Sequence, residues 1–264
     1  MNDTFNLKRF GLLLKKTILE RPIQLMGITA LILTATIMIY AICLYMLSFQ
    51  PAQNLAYIWG LVGGGCFLSS MAFGYFGTNA QGSAYLTLPA SAFEKWLCGI
   101  LIVGVFFPVI FLAFYRLIDM GFVTAYHNGL DKNNPQYKEM YDSVQYYPFD
   151  NNIARQSEML FANFIGAMLV GSLYFNRVAA IKTALVYFGV LGFIYFLNLG
   201  LAHAFFKDVD EAFPFHNIFI KVKNDTGSIE LPSSFSNMIF NFVEFIVPGA
   251  LLITTLIRLR EKEI

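Results

Sequence analysis

Charge is scarce in this chain. Only 13% of its 264 residues are Asp, Glu, Lys or Arg, about half the roughly 25% of a soluble globular domain. Too few charged side chains remain to cover a water-exposed surface, which sets aside most soluble-enzyme readings. Neither sign dominates: 18 Lys plus Arg stand against 17 Asp plus Glu, so the totals offer neither a basic surface for nucleic acid nor an acidic tail. The three histidines, His127, His203 and His216, are dispersed without metal-ligand spacing, which argues against a zinc site. The three cysteines, Cys43, Cys66 and Cys98, all fall inside apolar runs. They lack the paired spacing of a disulfide framework or metal cluster and read as small core hydrophobes. No Gly-x-x-x-x-Gly-Lys-Ser/Thr phosphate loop is present, so the chain cannot cradle nucleotide phosphates in that manner. No nucleophile motif anchors a catalytic triad. Internal repeats and low-complexity tracts are absent too.

What the chain does have is apolar length. Hydrophobic residues make up 57%, the mean hydropathy is +0.58, and 28 Phe and 14 Tyr are present. Runs of about 20 apolar residues suffice to cross a hydrocarbon core as a helix, and six are found: Ile23–Phe49, Ala56–Gly77, Ala92–Leu117, Ser157–Phe175, Ile181–Phe205 and Phe235–Ile257. The expected fold is therefore an all-α integral membrane protein with six transmembrane helices in a single domain over 1–264. The first run is too long for the core of a cleavable signal peptide and is kept as a permanent span. Small residues in the fourth run, Ala162, Gly166, Ala167 and Gly171, and Gly60, Gly63, Gly64 and Gly65 in the second suit close helix packing.

The near-zero net charge hides an asymmetry. With the amino terminus, the second and fourth connections and the carboxyl-terminal tail placed on one side, that side holds eleven of the 18 basic residues and five of the 17 acidic ones, a sum of +6. The basic residues are Lys8, Arg9, Lys15, Lys16, Arg21, Lys95, Arg177, Lys182, Arg258, Arg260 and Lys262; the acidic ones are Asp3, Glu20, Glu94, Glu261 and Glu263. The other side sums to −4, and Glu244 lies within the last run. The positive-inside rule then puts both termini in the cytoplasm, with 118–156 and 206–234 as external loops. The first is too aromatic for a solvated linker. In the second, Phe213, Phe215, Ile218, Phe219 and Ile220 are interspersed with polar residues, and the segment is expected on the membrane surface or dipping into it.

Two cytoplasmic stretches carry most information. From Leu7 to Glu20, the residues Leu7, Phe10, Leu14 and Ile18 recur every three or four positions, with Lys8, Arg9, Lys15 and Lys16 toward the opposite side. This predicts an amphipathic helix, with a basic topogenic leader as the plainer reading. Phe5, Leu12 and Leu19 interrupt its polar face, and lysines above anionic lipid add attraction. The second stretch is Tyr85-Leu-Thr-Leu-Pro-Ala-Ser-Ala-Phe-Glu-Lys-Trp-Leu97. Ser91 and Glu94 have the spacing of a capping box, so the third span should start at Ala92, with Lys95 and Trp96 at headgroup level.

The string Leu86-Thr-Leu-Pro-Ala-Ser-x-x-Glu-Lys-Trp96, the leader Lys8-Arg-Phe-Gly-Leu-Leu-Leu-Lys-Lys16 and the turn Tyr174-Phe-Asn-Arg-Val-Ala-Ala-Ile-Lys-Thr183 resemble membrane subunits of type-2 ATP-binding-cassette (ABC) transporters, particularly a branch found in Bacteroidetes bacteria. The resemblance implies a six-helix permease subunit of the bacterial inner membrane, paired with itself or a related permease. It further implies a partner ABC ATPase that carries ATP and magnesium, this chain having no cofactor of its own. Residues 1–22 would be an interface helix, with Lys8, Arg9, Phe10, Lys15 and Lys16, and 78–95 the loop that meets the ATPase. Within that loop Leu86 and Leu88 would be contacts, Pro89 would set the turn, Ser91 and Glu94 would fix the helix start, and Lys95 would anchor it. Short re-entrant helices between spans five and six would come from Phe213–Ile220 and Phe235–Phe245.

Polar residues in the last run form a further pattern. Asn237, Asn241, Glu244, Pro248 and Thr255 share one stripe of a helix at 3.6 residues per turn. They suit a translocation path, structural hydrogen bonds to a neighbouring helix, or a headgroup-level position. Arg116 and Asp119, three apart, read as an interfacial ion pair. A rival class is a membrane scaffold or sensor that binds a partner through its external loops, and a lipid-acting enzyme is disfavoured for want of a catalytic cluster.

Overall fold

The structure, a computed structural model, describes residues 5–20, 22–77, 79–175, 178–206, 209–214, 217–222, 225–230 and 232–262. Asp3, Arg21, Arg177, Phe215, His216 and Glu263 lie outside the described residues.

Helix dominates because the apolar runs are long and carry few breakers. In chain order the helices are α1 (Leu7–Glu20), α2 (Pro22–Met46), α3 (Phe49–Ala72), α4 (Asn79–Leu86), α5 (Ala92–Gly129), α6 (Tyr137–Ser143), α7 (Asn152–Tyr174), α8 (Ala179–Phe205) and α9 (Ser233–Glu261). Six of them, α2, α3, α5, α7, α8 and α9, are long and apolar enough to cross a membrane. Their starts have local causes. Pro22 occupies the first helical position of α2, where its missing N–H costs nothing, and Asn151 caps α7 by accepting from the Ala154 N–H at 2.6 Å. Three spans contain a π turn, at Trp59–Gly63, Leu101–Phe106 and Phe242–Ile246. Each π turn shifts the register of the side chains that follow it.

Several boundaries differ from the expected runs. α3 begins at Phe49 rather than Ala56, and α5 continues three turns past Leu117 to Gly129. The all-α expectation also needs amending. Val209–Ala212 (β1), Asn217–Val222 (β2) and Asp225–Glu230 (β3) form an antiparallel sheet in the order β1-β2-β3. Most of the expected re-entrant segment Phe213–Ile220 is therefore not helical: Asn217–Ile220 belongs to β2, whereas Phe235–Phe245 is helical and continuous with the last span. The sheet is fastened to α8 by Asn198, whose amide donates to the Ala212 carbonyl at 3.2 Å.

Packing centres on α7, which lies against α3, α8 and α9. Its small residues allow this. A Cβ on Gly171 would overlap the Thr183 side chain of α8, and one on Gly166 would meet Leu251 of α9 at 2.9 Å. On α3, Gly60 sits against Phe111 and Thr36 and Gly65 against Phe161, each closer than a Cβ allows. The small residues thus serve helix approach, as their spacing suggests. Cys43, Cys66 and Cys98 are free thiols, Cys43 and Cys98 within the apolar clusters and Cys66 half-buried. By contrast α8, apolar all round, buries only Thr183 and Ala202, and its outer surface is unpartnered among the described residues.

Candidate coupling site

Three consecutive residues at the start of α5 each hold a different element. Ser91 caps α5: its Oγ accepts from the Glu94 N–H at 3.2 Å, and the Glu94 carboxylate accepts from the Ser91 N–H at 2.9 Å. The predicted capping box is present, and α5 begins at Ala92. The same carboxylate, fully buried, also accepts from the Asn6 N–H at 2.7 Å and from Arg9 Nη2 at 3.0 Å. Asn6 itself caps α1, its Oδ1 accepting from the Lys8 N–H at 2.9 Å. One carboxylate thus joins the amino-terminal ends of two helices, where the unpaired N–H groups and the helix dipoles both favour negative charge.

Lys95, also fully buried, donates from Nζ to the Leu86 carbonyl at 3.2 Å and lies 5.6 Å from the centre of the Tyr85 ring. It thereby secures the last turn of α4, whose end carbonyls lack helical partners. Trp96 donates from Nε1 to the Leu252 carbonyl of α9 at 2.9 Å. The polar ends of Lys95 and Trp96 are thus both bonded inside the chain. Tyr85 in turn stacks on Tyr75 with centroids 4.6 Å apart and meets Phe76 edge-on at 5.8 Å. Lys262, from the end of α9, lies 4.6 Å from the centre of that Phe76 ring. Burial, with Arg258 nearby, pulls the Lys262 ammonium below its ordinary pKa.

The expected contact leucines are only half available. Leu88 packs against the cluster of Leu13, Ala90 and Cys98, as do Phe10 and Leu14 of α1, and Leu86 is half-buried. Among the described side chains of the segment, Ser83, Ala84, Thr87 and Pro89 are exposed. The buried seam of α1 is likewise shifted from the expected one. Phe10 and Leu14 face inward as predicted, but Leu13 is the buried residue and Leu7 is 74% exposed, because the seam turns toward the Glu94 carboxylate through Arg9. Lys8, Lys15 and Lys16 are exposed, with Leu12 and Leu19 exposed beside them.

The polar stripe of α9 is broken by the π turn at Phe242–Ile246. Glu244, Pro248 and Thr255 turn inward or partly inward, whereas Asn237 and Asn241 are exposed. A π turn adds a residue to its hydrogen-bonded ring, so spacings computed on a regular helix fail across it. Glu244 pairs with Arg155 of α7 at 3.4 Å. Nearby, Asn163 of α7 donates to the Val243 carbonyl within that π turn at 3.0 Å, a partner that composition did not reveal.

At the opposite end of the bundle lies a polar knot that periodicity missed. Asp119, fully buried, accepts from the Tyr40 hydroxyl at 2.7 Å, Gln53 Nε2 at 2.8 Å and the Tyr147 N–H at 2.7 Å. Arg116 does not pair with it. The guanidinium instead donates to the Tyr147 carbonyl at 3.0 Å and lies over the Tyr146 and Phe149 rings. The two residues read as an ion pair therefore hold the N–H and the C=O of one loop residue. Around them Tyr40, Tyr57, Phe111, Tyr115, Tyr147 and Phe149 form an aromatic cluster, and burial pushes the Tyr147 phenol up to about 12. Among the described residues no group of three His, Cys, Asp or Glu is placed to hold a metal ion.

Comparisons with protein-family models, with curated proteins and with solved structures returned no match.

Proposed function

We propose that the chain is the permease subunit of an ABC transporter of the bacterial inner membrane, driven by an ATPase on a separate polypeptide that binds the ATP and magnesium. The six long apolar helices cross the bilayer, and α1, α4 and the end of α9 face the cytoplasm, as the basic-residue asymmetry favours. Two copies, or one copy and a related permease, enclose the path. The chain itself catalyses nothing.

The observation that carries this reading is the Glu94-Lys95-Trp96 junction. A short segment between the second and third spans is tied by adjacent residues to its own span, to α1 and to the last span. A push on Ser83, Ala84, Thr87 or Pro89 would be carried to three helices by buried polar contacts rather than absorbed in a loose loop. In this role Glu94 and Lys95 are positioning residues. α1 serves as the interface helix, with Lys8, Lys15 and Lys16 toward headgroups. Glu244, with Asn237 and Asn241 near it, is retained as a path candidate at the external end of the last span.

Detergent extraction of the tagged chain, followed by mass spectrometry of what co-purifies and an ATPase assay of the complex, tests the reading. A stoichiometric ATPase subunit is expected. A chain that assembles fully with no ATPase sinks it. The scaffold or sensor reading is favoured by one feature, the ordered external platform of α6 and the three-stranded sheet, and it gains if an external protein co-purifies instead.

A further inference from the structure

Between α2 and the π segment of α5 runs an apolar groove of about 360 Å³. Met26, Ala30 and Leu33 form one wall, Phe106 and Ile110 the other, and Ile18 of α1 stands at one end. A smaller pocket of about 60 Å³ lies beneath α1 and shares Leu25, Leu68 and Ile102 with the groove as common walls. The two spaces are therefore neighbours across these residues. From Leu25 to Leu33 the groove follows α2 for about 12 Å at the helical rise.

The lining decides what class of occupant fits. The Thr17 hydroxyl that borders the inner pocket is already donated to the Leu13 carbonyl at 2.9 Å, and the Cys98 thiol beside it contacts that hydroxyl at 3.7 Å. The groove offers apolar walls and no backbone edge. An extended peptide lying there would bury N–H and C=O groups without partners, which is prohibitive in an apolar medium, whereas an acyl chain has none to satisfy. The mouth supplies the charge. Lys15 precedes Ile18 by three positions on α1 and so neighbours it on the helix surface, and Lys8 follows the same side two turns earlier. Both are exposed.

We propose that this groove binds one acyl chain of an anionic phospholipid, its tail running along α2 toward the inner pocket and its headgroup over Lys15 and Lys8. The site would lock α1 to the bilayer at a defined place. The inference rests on the membrane placement proposed above and is independent of transport.

Native mass spectrometry of the full chain, released from nanodiscs of equimolar phosphatidylglycerol and phosphatidylcholine, provides the test. The wild-type chain is expected to retain phosphatidylglycerol preferentially. Ala30→Trp fills the groove from an exposed position and should release the lipid, while Met38→Trp, exposed on the same helix outside the groove, should not. Ala30→Phe is a milder filling variant should the Trp variant fail to fold. Lys15→Gln should still retain lipid, with its preference for phosphatidylglycerol lowered about fivefold, the equivalent of ~1 kcal/mol for one lysine near a surface. Equal retention by the groove variants and Met38→Trp overturns the site, as does a retained mass that is not a lipid. An unchanged headgroup preference in Lys15→Gln overturns the headgroup assignment. Failure of the membrane placement is seen separately, as a chain released from membranes by alkaline carbonate without detergent.

Discussion

Arg9 and Glu94 are 85 positions apart in the chain and meet at 3.0 Å, the guanidinium of α1 donating to a carboxylate at the start of α5. Because that carboxylate also accepts from the Asn6 and Ser91 N–H groups, its loss leaves two helix ends and a cation without their acceptor.

Glu94→Ala should therefore cost about 3 kcal/mol, combining a lost cap with lost charge-assisted hydrogen bonds. Glu94→Gln, which keeps one acceptor oxygen, should cost about 1 kcal/mol, the partly exposed Arg9 being discounted for solvent screening. Thermal unfolding in detergent measures both, and limited proteolysis should show α1 released first in the alanine variant. Equal stability of the two variants would contradict the shared-cap geometry.

Lys95→Met should leave the chain assembled but loosen the end of α4, since the Leu86 carbonyl loses its donor and the Tyr85 ring its cation. Faster amide exchange around Thr87 and Leu88 is the expected signature. If the permease reading is correct, ATP-driven transport falls several-fold while co-purification with the ATPase persists.

Asp119→Ala removes one acceptor from three buried donors and should cost about 3 kcal/mol, since each unsatisfied buried donor costs about 1–3 kcal/mol and relaxation recovers part. Hydrogen exchange at Tyr147 should rise sharply, because its N–H loses the Asp119 carboxylate. Unchanged protection at Tyr147 would refute the knot. Arg116→Met should loosen the same loop through the Tyr147 carbonyl, with a smaller loss of about 1 kcal/mol.

Gly171→Ala should impair folding by about 1–3 kcal/mol, the cost of overpacking a tight contact, because its new methyl would overlap Thr183. Adding Thr183→Gly should recover part of the loss. Failure of the second substitution to rescue would mean that α7 and α8 do not approach at this point.

Glu244→Gln should change stability by less than about 1 kcal/mol, since its Arg155 partner is largely exposed and such pairs contribute little. Under the permease reading, a transport assay of the variant tests the proposed path role. Full activity of the variant removes Glu244 from the path.

Much of the helical layout was legible because apolar length and helix caps are local properties. Ser91 and Glu94 are three residues apart, so both halves of the capping box can be recognised together and α5 starts where they require. The polar stripe of α9 failed for an equally local reason. Asn237 and Glu244 share a face only on a regular helix, and the π turn at Phe242–Ile246 has no signature in composition. The sheet carried a weaker signal, β-branched and aromatic residues in Asn217–Val222 beside the polar Asp225–Glu230, which competes with a surface-lying reading of the same residues.

By itself the sequence determined six long apolar helices, an amphipathic α1 and the start of α5, because span length, periodicity and capping depend on residues within a few turns of one another. Tertiary structure alone decided which side of α1 is buried, that Glu94 joins two helix ends, and that Asp119 and Arg116 hold Tyr147 rather than each other. Buried charges take whichever donors the packed helices bring to them, and those donors come from distant parts of the chain.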